Sequence, residues 1–214
     1  MLASLLFAAG AACALAYWPL AGGAPSAGRS ALKTGSTAAL AVAALAAGAS
    51  PWLTLGLALG ALGDFALSRR GEVWFQAGLG AFLLGHLAYA VLFLTRPEAA
   101  LPGAAALLPA AVLLAFCLVM ARRLWSAAGP LRGPVLAYVA VIAAMGLASL
   151  ALPLPHPGQL AALLFIASDT ALAVELFLIP PGHPARRWLP FAVWPLYWLA
   201  QALFLASFAF QNPG

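Results

Sequence analysis

Apolar stretches of roughly 17–23 residues, bilayer-spanning length, recur along the whole chain and are separated by short polar corners. The pattern predicts eight helical spans, at 2–20, 33–49, 51–68, 73–95, 100–121, 133–152, 158–179 and 188–210. The connections between them are short, as in a compact bundle. Pro51, Pro134 and Pro157 stand at or just before helix starts, where a missing N–H costs little. Pro195 falls inside the last stretch and is expected to kink it. The fold expected is all-α, a polytopic transmembrane helical bundle in which residues 1–214 form one domain.

Composition agrees with that pattern. The chain is 65% hydrophobic and 7% charged, with mean hydropathy +1.01, whereas a soluble domain is nearer half apolar and a quarter charged. Many glycines suit close helix contacts in lipid. Met1 to Leu20 lacks the basic start of a signal peptide and reads as the first span.

Charge adds an orientation. Arg29 and Lys33 flank the first connection, Arg69 and Arg70 lie in the third, Arg122, Arg123 and Arg132 in the fifth, and Arg186 and Arg187 in the seventh. Only Arg96 falls on the opposite side, a bias of nine to one. Basic residues favour the cytoplasmic side, so the odd connections are expected inside and both termini outside, in the cell (inner) membrane. The net charge of +5 does not point to nucleic acid, because the basic residues are spread in pairs over loops.

Ionisable groups within the apolar stretches then stand out, since burying them in lipid is costly. The third stretch carries Gly56, Gly60 and Asp64 at i, i+4, i+8, a face that lets another helix approach closely. Pairing of Asp64 with Arg69 or Arg70 would make it a simple helix anchor. The fourth aligns Phe75, Gly78, Phe82, His86 and Tyr89 on one face, with His86 near the bilayer middle. The seventh holds Ser168-Asp169-Thr170, and Asp169 has no basic residue within reach on its own helix. It must pair across helices, stay protonated or line a wet cavity. Glu175 points elsewhere, toward the cytoplasmic arginines. Tyr197 and Gln201 share a face of the eighth with Trp194, Tyr138 lies early in the sixth, and Lys33 opens the second.

These groups limit the chemistry. Cys13 and Cys117 lie in apolar runs and read as small buried hydrophobes. No CxxC or Cys/His spacing occurs, so neither metal nor cofactor is expected. A Ser168, His86 and Asp64 triad is formally possible, but no nucleophile-elbow sequence surrounds Ser168. Two carboxylates in different surroundings suit acid–base hydrolysis, one protonated and the other ionised. Asp64, His86, Asp169, Tyr197 and Gln201 are expected to line one cavity. Asp169 is expected to be the deeper and less compensated carboxylate, hence the acid, with Asp64 the anion.

The ordered set of Lys33, Gly63-Asp64, Phe75 with Gly78, His86 and Tyr89, Tyr138, Ser168-Asp169, and Tyr197 with Gln201 resembles the YhhN family of membrane proteins, which includes the vertebrate lysoplasmalogenases. The resemblance runs from about Lys33 to Gln201. Thr34 stands where the family usually has proline, and Glu175 where a neutral or basic residue is expected. The resemblance implies hydrolysis of the vinyl ether bond of lysoplasmalogens, a lysophospholipid substrate drawn from the bilayer. Asp64, Asp169 and His86 would then be catalytic. Lys33 would meet the phosphate, while Tyr89, Tyr138, Ser168, Tyr197 and Gln201 would orient substrate or carboxylates. Two rival classes use the same groups differently: a proton-coupled transporter, and a non-catalytic lipid-binding bundle.

Overall fold

The computed structural model describes residues 1–210. Eight long helices run through them: α1 Leu2–Tyr17, α2 Ala27–Ala46, α3 Pro51–Leu67, α4 Glu72–Leu94, α5 Leu107–Ala127, α6 Arg132–Ser149, α7 Pro157–Ala173 and α8 Leu189–Ala209. No strand occurs among the described residues. Six of the helical stretches are long and apolar enough to cross a membrane, which makes this a multi-pass membrane protein. The other two are α2, which carries Arg29 and Lys33, and α3, which is apolar but only 17 residues long.

The helix starts follow local chemistry. Ser26 and Ser50 cap α2 and α3 through their hydroxyls, and the His156 ring caps α7 by accepting from Gly158 N–H. Pro51 and Pro157 each occupy the first helical position. Three boundaries differ from those the apolar pattern predicts. α2 begins at Ala27, so Lys33 lies in its second turn and does not open it; the Ser26 cap outweighs the polarity of the first turn. α5 runs 107–127, where the pattern gives 100–121. Arg122 and Arg123 therefore lie inside it, since arginine is a good helix former and the stop comes later, near Gly129 at φ +52. α7 is α-helical only to Ala173 and continues as one π turn, Val174–Leu178.

Helices α1 to α4 pack in sequence order, α4 then meets α6, α7 pairs closely with α8, and α8 returns to α2 and α3. Helix α5 lies on the flank against α6, with only Cys117 and Leu124 buried. The basic connections gather at one end. Trp18 donates to the Phe191 carbonyl, Ser30 bonds Ser68, and Leu124, Ala128 and Val135 pack on Phe177 and Leu178. Arg96 sits at the other end, over the Phe208 ring.

Close approach of α3 to its neighbours follows from its glycines. A methyl group at Gly56 would stand 2.6 Å from the Tyr89 ring, and one at Gly63 2.5 Å from Phe82. At Gly60 it would collide with the Gln201 amide. Only glycine lets these side chains lie directly on the helix backbone.

Candidate active site

Asp64 sits under this glycine face, three residues before the end of α3, and is 1% exposed. Its Oδ2 accepts from Thr37 Oγ1 at 2.8 Å and from Tyr197 OH at 2.9 Å. Its Oδ1 lies 3.3 Å from Lys33 Nζ. The alternative reading of Asp64 as an anchor for Arg69 or Arg70 finds no such pair: Lys33 is the basic partner, and Arg69 lies over the Phe65 ring. Helix α2 explains the exchange: Arg29, Lys33 and Thr37 recur every four residues and form one polar face. Two hydrogen-bond donors and one ammonium surround Asp64, a set suited to the ionised form.

The donors are themselves held. Tyr89 OH donates to Gln201 Oε1, Gln201 Nε2 donates to Tyr197 OH at 3.2 Å, and Tyr197 OH donates to Asp64. This chain fixes the amide orientation of Gln201 and the rotor of Tyr197. Tyr89 stacks on Phe204 at 4.2 Å, so its ring position is set by packing. Thr37 is a site residue that the apolar pattern did not single out. Its signal was present, as a hydroxyl four residues beyond Lys33, in line with Arg29 and Lys33 on the most polar helix.

The second carboxylate has different surroundings. Asp169 Oδ2 accepts from Tyr138 OH at 2.9 Å and faces His86 Nε2 at 3.2 Å. His86 is 1% exposed and packed against Phe165, with ring centroids 4.4 Å apart. Its Nδ1 lies 2.6 Å from the Phe82 carbonyl, which can only accept. Nδ1 therefore carries a proton, and Nε2 of a neutral ring would present a lone pair to the carboxylate. Nε2 makes no hydrogen bond and faces the carboxylate across 3.2 Å of buried space.

Asp64 is the more enclosed of the two by protein, its side chain 1% exposed against 11% for Asp169. Lys33, Thr37 and Tyr197 close around Asp64, whereas Asp169 stands on the wall of two cavities.

Two cavities meet at Asp169. The larger, about 290 Å³, is lined by Asp64, Asp169, Lys33, Ser168 and Tyr197, with Arg29 and Glu175 also on its wall. The smaller, about 80 Å³, runs between α4, α5, α6 and α7 and is almost wholly apolar apart from Tyr138, Thr170 and Asp169. Leu67, Phe75, Phe82, Asp169, Leu172 and Leu176 belong to both. His86 and Gln201 were expected to line a shared cavity with Asp64, Asp169 and Tyr197. They lie behind its wall instead, His86 touching Asp169 and Phe82, and Gln201 touching Tyr197. Ser168 reaches the larger cavity but donates to the Val193 carbonyl at 3.0 Å. Its supposed triad partners are engaged elsewhere, His86 with Asp169 and Asp64 with Lys33. Glu175 forms no ion pair within 4 Å among the described residues. No group of three potential metal ligands occurs among the described residues.

Comparison with known proteins bears on this arrangement. Two curated proteins named lysoplasmalogenase, from Mycobacterium bovis and Mycobacterium tuberculosis, are each 34% identical to the chain over 168 residues. The match covers 74% of this chain and 60% of each relative, so less than two thirds of their length is represented. No solved structure matches the chain. The YhhN family matches residues 28–208, a stretch that holds both aspartates, His86 and every helix from α2 to α8. The chain belongs to the YhhN family.

Proposed function

We propose that this protein is a membrane hydrolase that cleaves the vinyl ether bond of a lysoplasmalogen or a closely related lysolipid. The observation that carries the reading is the junction at Asp169. A charged cavity and an apolar one share a wall whose one carboxylate, Asp169, lies 3.2 Å from His86 Nε2. A single-chain lipid has the matching form, with a charged headgroup, a hydrocarbon tail, and the vinyl ether between them. The two mycobacterial relatives named lysoplasmalogenase support the same substrate class.

The chemistry follows from proton positions. Vinyl ether hydrolysis begins with protonation of the β-carbon, which makes the ether carbon an oxocarbenium ion. Water adds to that carbon, and the resulting hemiacetal collapses to a fatty aldehyde and a glycerophospho-alcohol. The Asp169–His86 pair supplies the proton, and Tyr138 holds the carboxylate toward the junction. Asp64, kept anionic by Lys33, Thr37 and Tyr197, stabilises the cation and accepts the proton of the incoming water. Tyr89 and Gln201 act at one remove by orienting Tyr197. Lys33 is committed to Asp64 and serves the anion more than the substrate phosphate.

We further infer that α2 and α3 cross the bilayer with the other six, giving eight spans. The basic ends then face the cytoplasm and both termini face outward. The reaction would take place near the inner leaflet of the cell membrane.

The test is aldehyde release from a synthetic lysoplasmalogen by the purified protein in lipid nanodiscs. Turnover by wild type and its loss by at least ~100-fold in Asp169→Asn is the expected result, the lower range of general acid–base contributions. Absence of turnover on vinyl ether lysolipids overturns the reading. If lipid-driven proton flux in proteoliposomes appears instead, the Asp169–His86 pair belongs to a carrier.

A further inference from the structure

Two charged side chains on the wall of the larger cavity take no part in the mechanism above. Arg29 is clamped by three acceptors: its Nε donates to the Leu20 carbonyl at 2.7 Å, and its Nη2 to the Ala21 carbonyl at 2.7 Å and to Tyr17 OH at 3.3 Å. Tyr17 is fixed in turn by an edge-on contact with Trp194, centroids 4.4 Å apart. All three acceptors on Arg29 are neutral, and no carboxylate lies within 4 Å of it among the described residues. A guanidinium held this firmly, with its charge unmet, beside a cavity is built for an anion. Glu175 lines the same cavity from the π turn after α7. Its potential partner Arg186 donates to the Ile179 carbonyl at 3.0 Å and forms no ion pair with it.

We propose that these two residues form a headgroup subsite for a zwitterionic phosphodiester, with Arg29 taking the phosphate and Glu175 the terminal ammonium. The subsite rests on the lysolipid reading above and adds residues that determine headgroup specificity. Spacing agrees with it. Glu175 is six residues beyond Asp169, about 9 Å along the helix axis at ~1.5 Å per residue. Six bonds separate a vinyl ether carbon from the phosphorus of a lysophospholipid, about 7 Å when extended, and four more reach an ethanolamine nitrogen, about 5 Å further. Arg29 lies one turn from Lys33, nearer the basic end of the bundle than the Lys33–Asp64 pair. Asp169, Arg29 and Glu175 all line the one cavity, so the ether and both headgroup charges of a single lipid would lie along its wall. An anionic headgroup of equal size would satisfy Arg29 but meet Glu175 with like charge.

Binding of 1-O-alkyl lysolipids tests this apart from turnover, because their saturated ether is not cleaved by protonation at carbon. Affinities for the phosphoethanolamine and phosphoglycerol forms are measured for wild type, Arg29→Gln, Arg29→Lys and Glu175→Gln in nanodiscs. Wild type is expected to favour phosphoethanolamine. Glu175→Gln should weaken that form alone and narrow the preference about tenfold, while Arg29→Gln weakens both about tenfold and Arg29→Lys less, the scale of one charge-assisted hydrogen bond. An unchanged preference in Glu175→Gln overturns the subsite, and so does unchanged affinity in Arg29→Gln. If Arg29→Gln does not fold, the Glu175→Gln ratio decides alone. Vinyl ether turnover with no headgroup effect defeats the subsite and spares the hydrolase. Headgroup-dependent binding without turnover defeats the hydrolase and spares the subsite.

Discussion

At the residue scale, two carboxylates of the same kind have different surroundings. Asp64 meets two hydroxyl donors and an ammonium. Asp169 meets one hydroxyl and an imidazole whose other nitrogen is already committed to a backbone carbonyl. In the proposed mechanism these surroundings make the second pair the proton donor and Asp64 the anion. Turnover by the two variants reads this: Asp169→Asn should abolish vinyl ether cleavage, and Asp64→Asn should slow it at least ~tenfold. Normal turnover in both variants would mean that the carboxylates are structural.

At the element scale, α3 decides how tightly the site closes. Its glycines put Tyr89, Phe82 and Gln201 directly against the backbone. Gly60→Ala should therefore push the Gln201 amide away and, through it, loosen Tyr197 from Asp64. The expected cost is about 1–3 kcal/mol of stability, typical of overpacking, with at least ~tenfold lower turnover. Gly80→Ala on α4 is the matched control, since a methyl group there meets nothing within 4 Å. It should be neutral or slightly stabilising through helix propensity. Thermal unfolding in detergent, with turnover measured on the same preparations, separates the two. Equal behaviour would mean that the glycine face is not what seats the network.

At the scale of the whole molecule, the ends of the bundle differ in charge, and the site lies toward the basic one. Arg29, the Ser68–Glu72 corner and the start of α8 meet there, with the α5–α6 connection alongside. Single cysteines placed in the 69–72 corner, the α5–α6 connection and near Arg186 should resist impermeant thiol reagents in intact cells and react after lysis. Labelling of the 69–72 corner from outside would invert the proposed topology. Two lone aspartates at depth would each cost about 2.5–3.5 kcal/mol on insertion scales. The bundle offsets this by bringing α2, α4, α6 and α8 to them with partners.

The sequence by itself determined the helical class, the helix count and the residues whose burial needs a reason. Membrane-length apolar runs admit little else, and an ionisable group within one is visible at once. It also determined the asymmetry of the basic ends, because charge counting needs no coordinates. Partners were legible only within a helix, where i, i+4 spacing fixes neighbours; contacts between helices are set by packing. So Lys33 could be read as a marker of topology, and only α2 laid against α3 makes it the counter-ion of Asp64. Which aspartate is more enclosed was likewise a tertiary matter. It depends on Lys33, Thr37 and Tyr197, which reach Asp64 from α2 and α8.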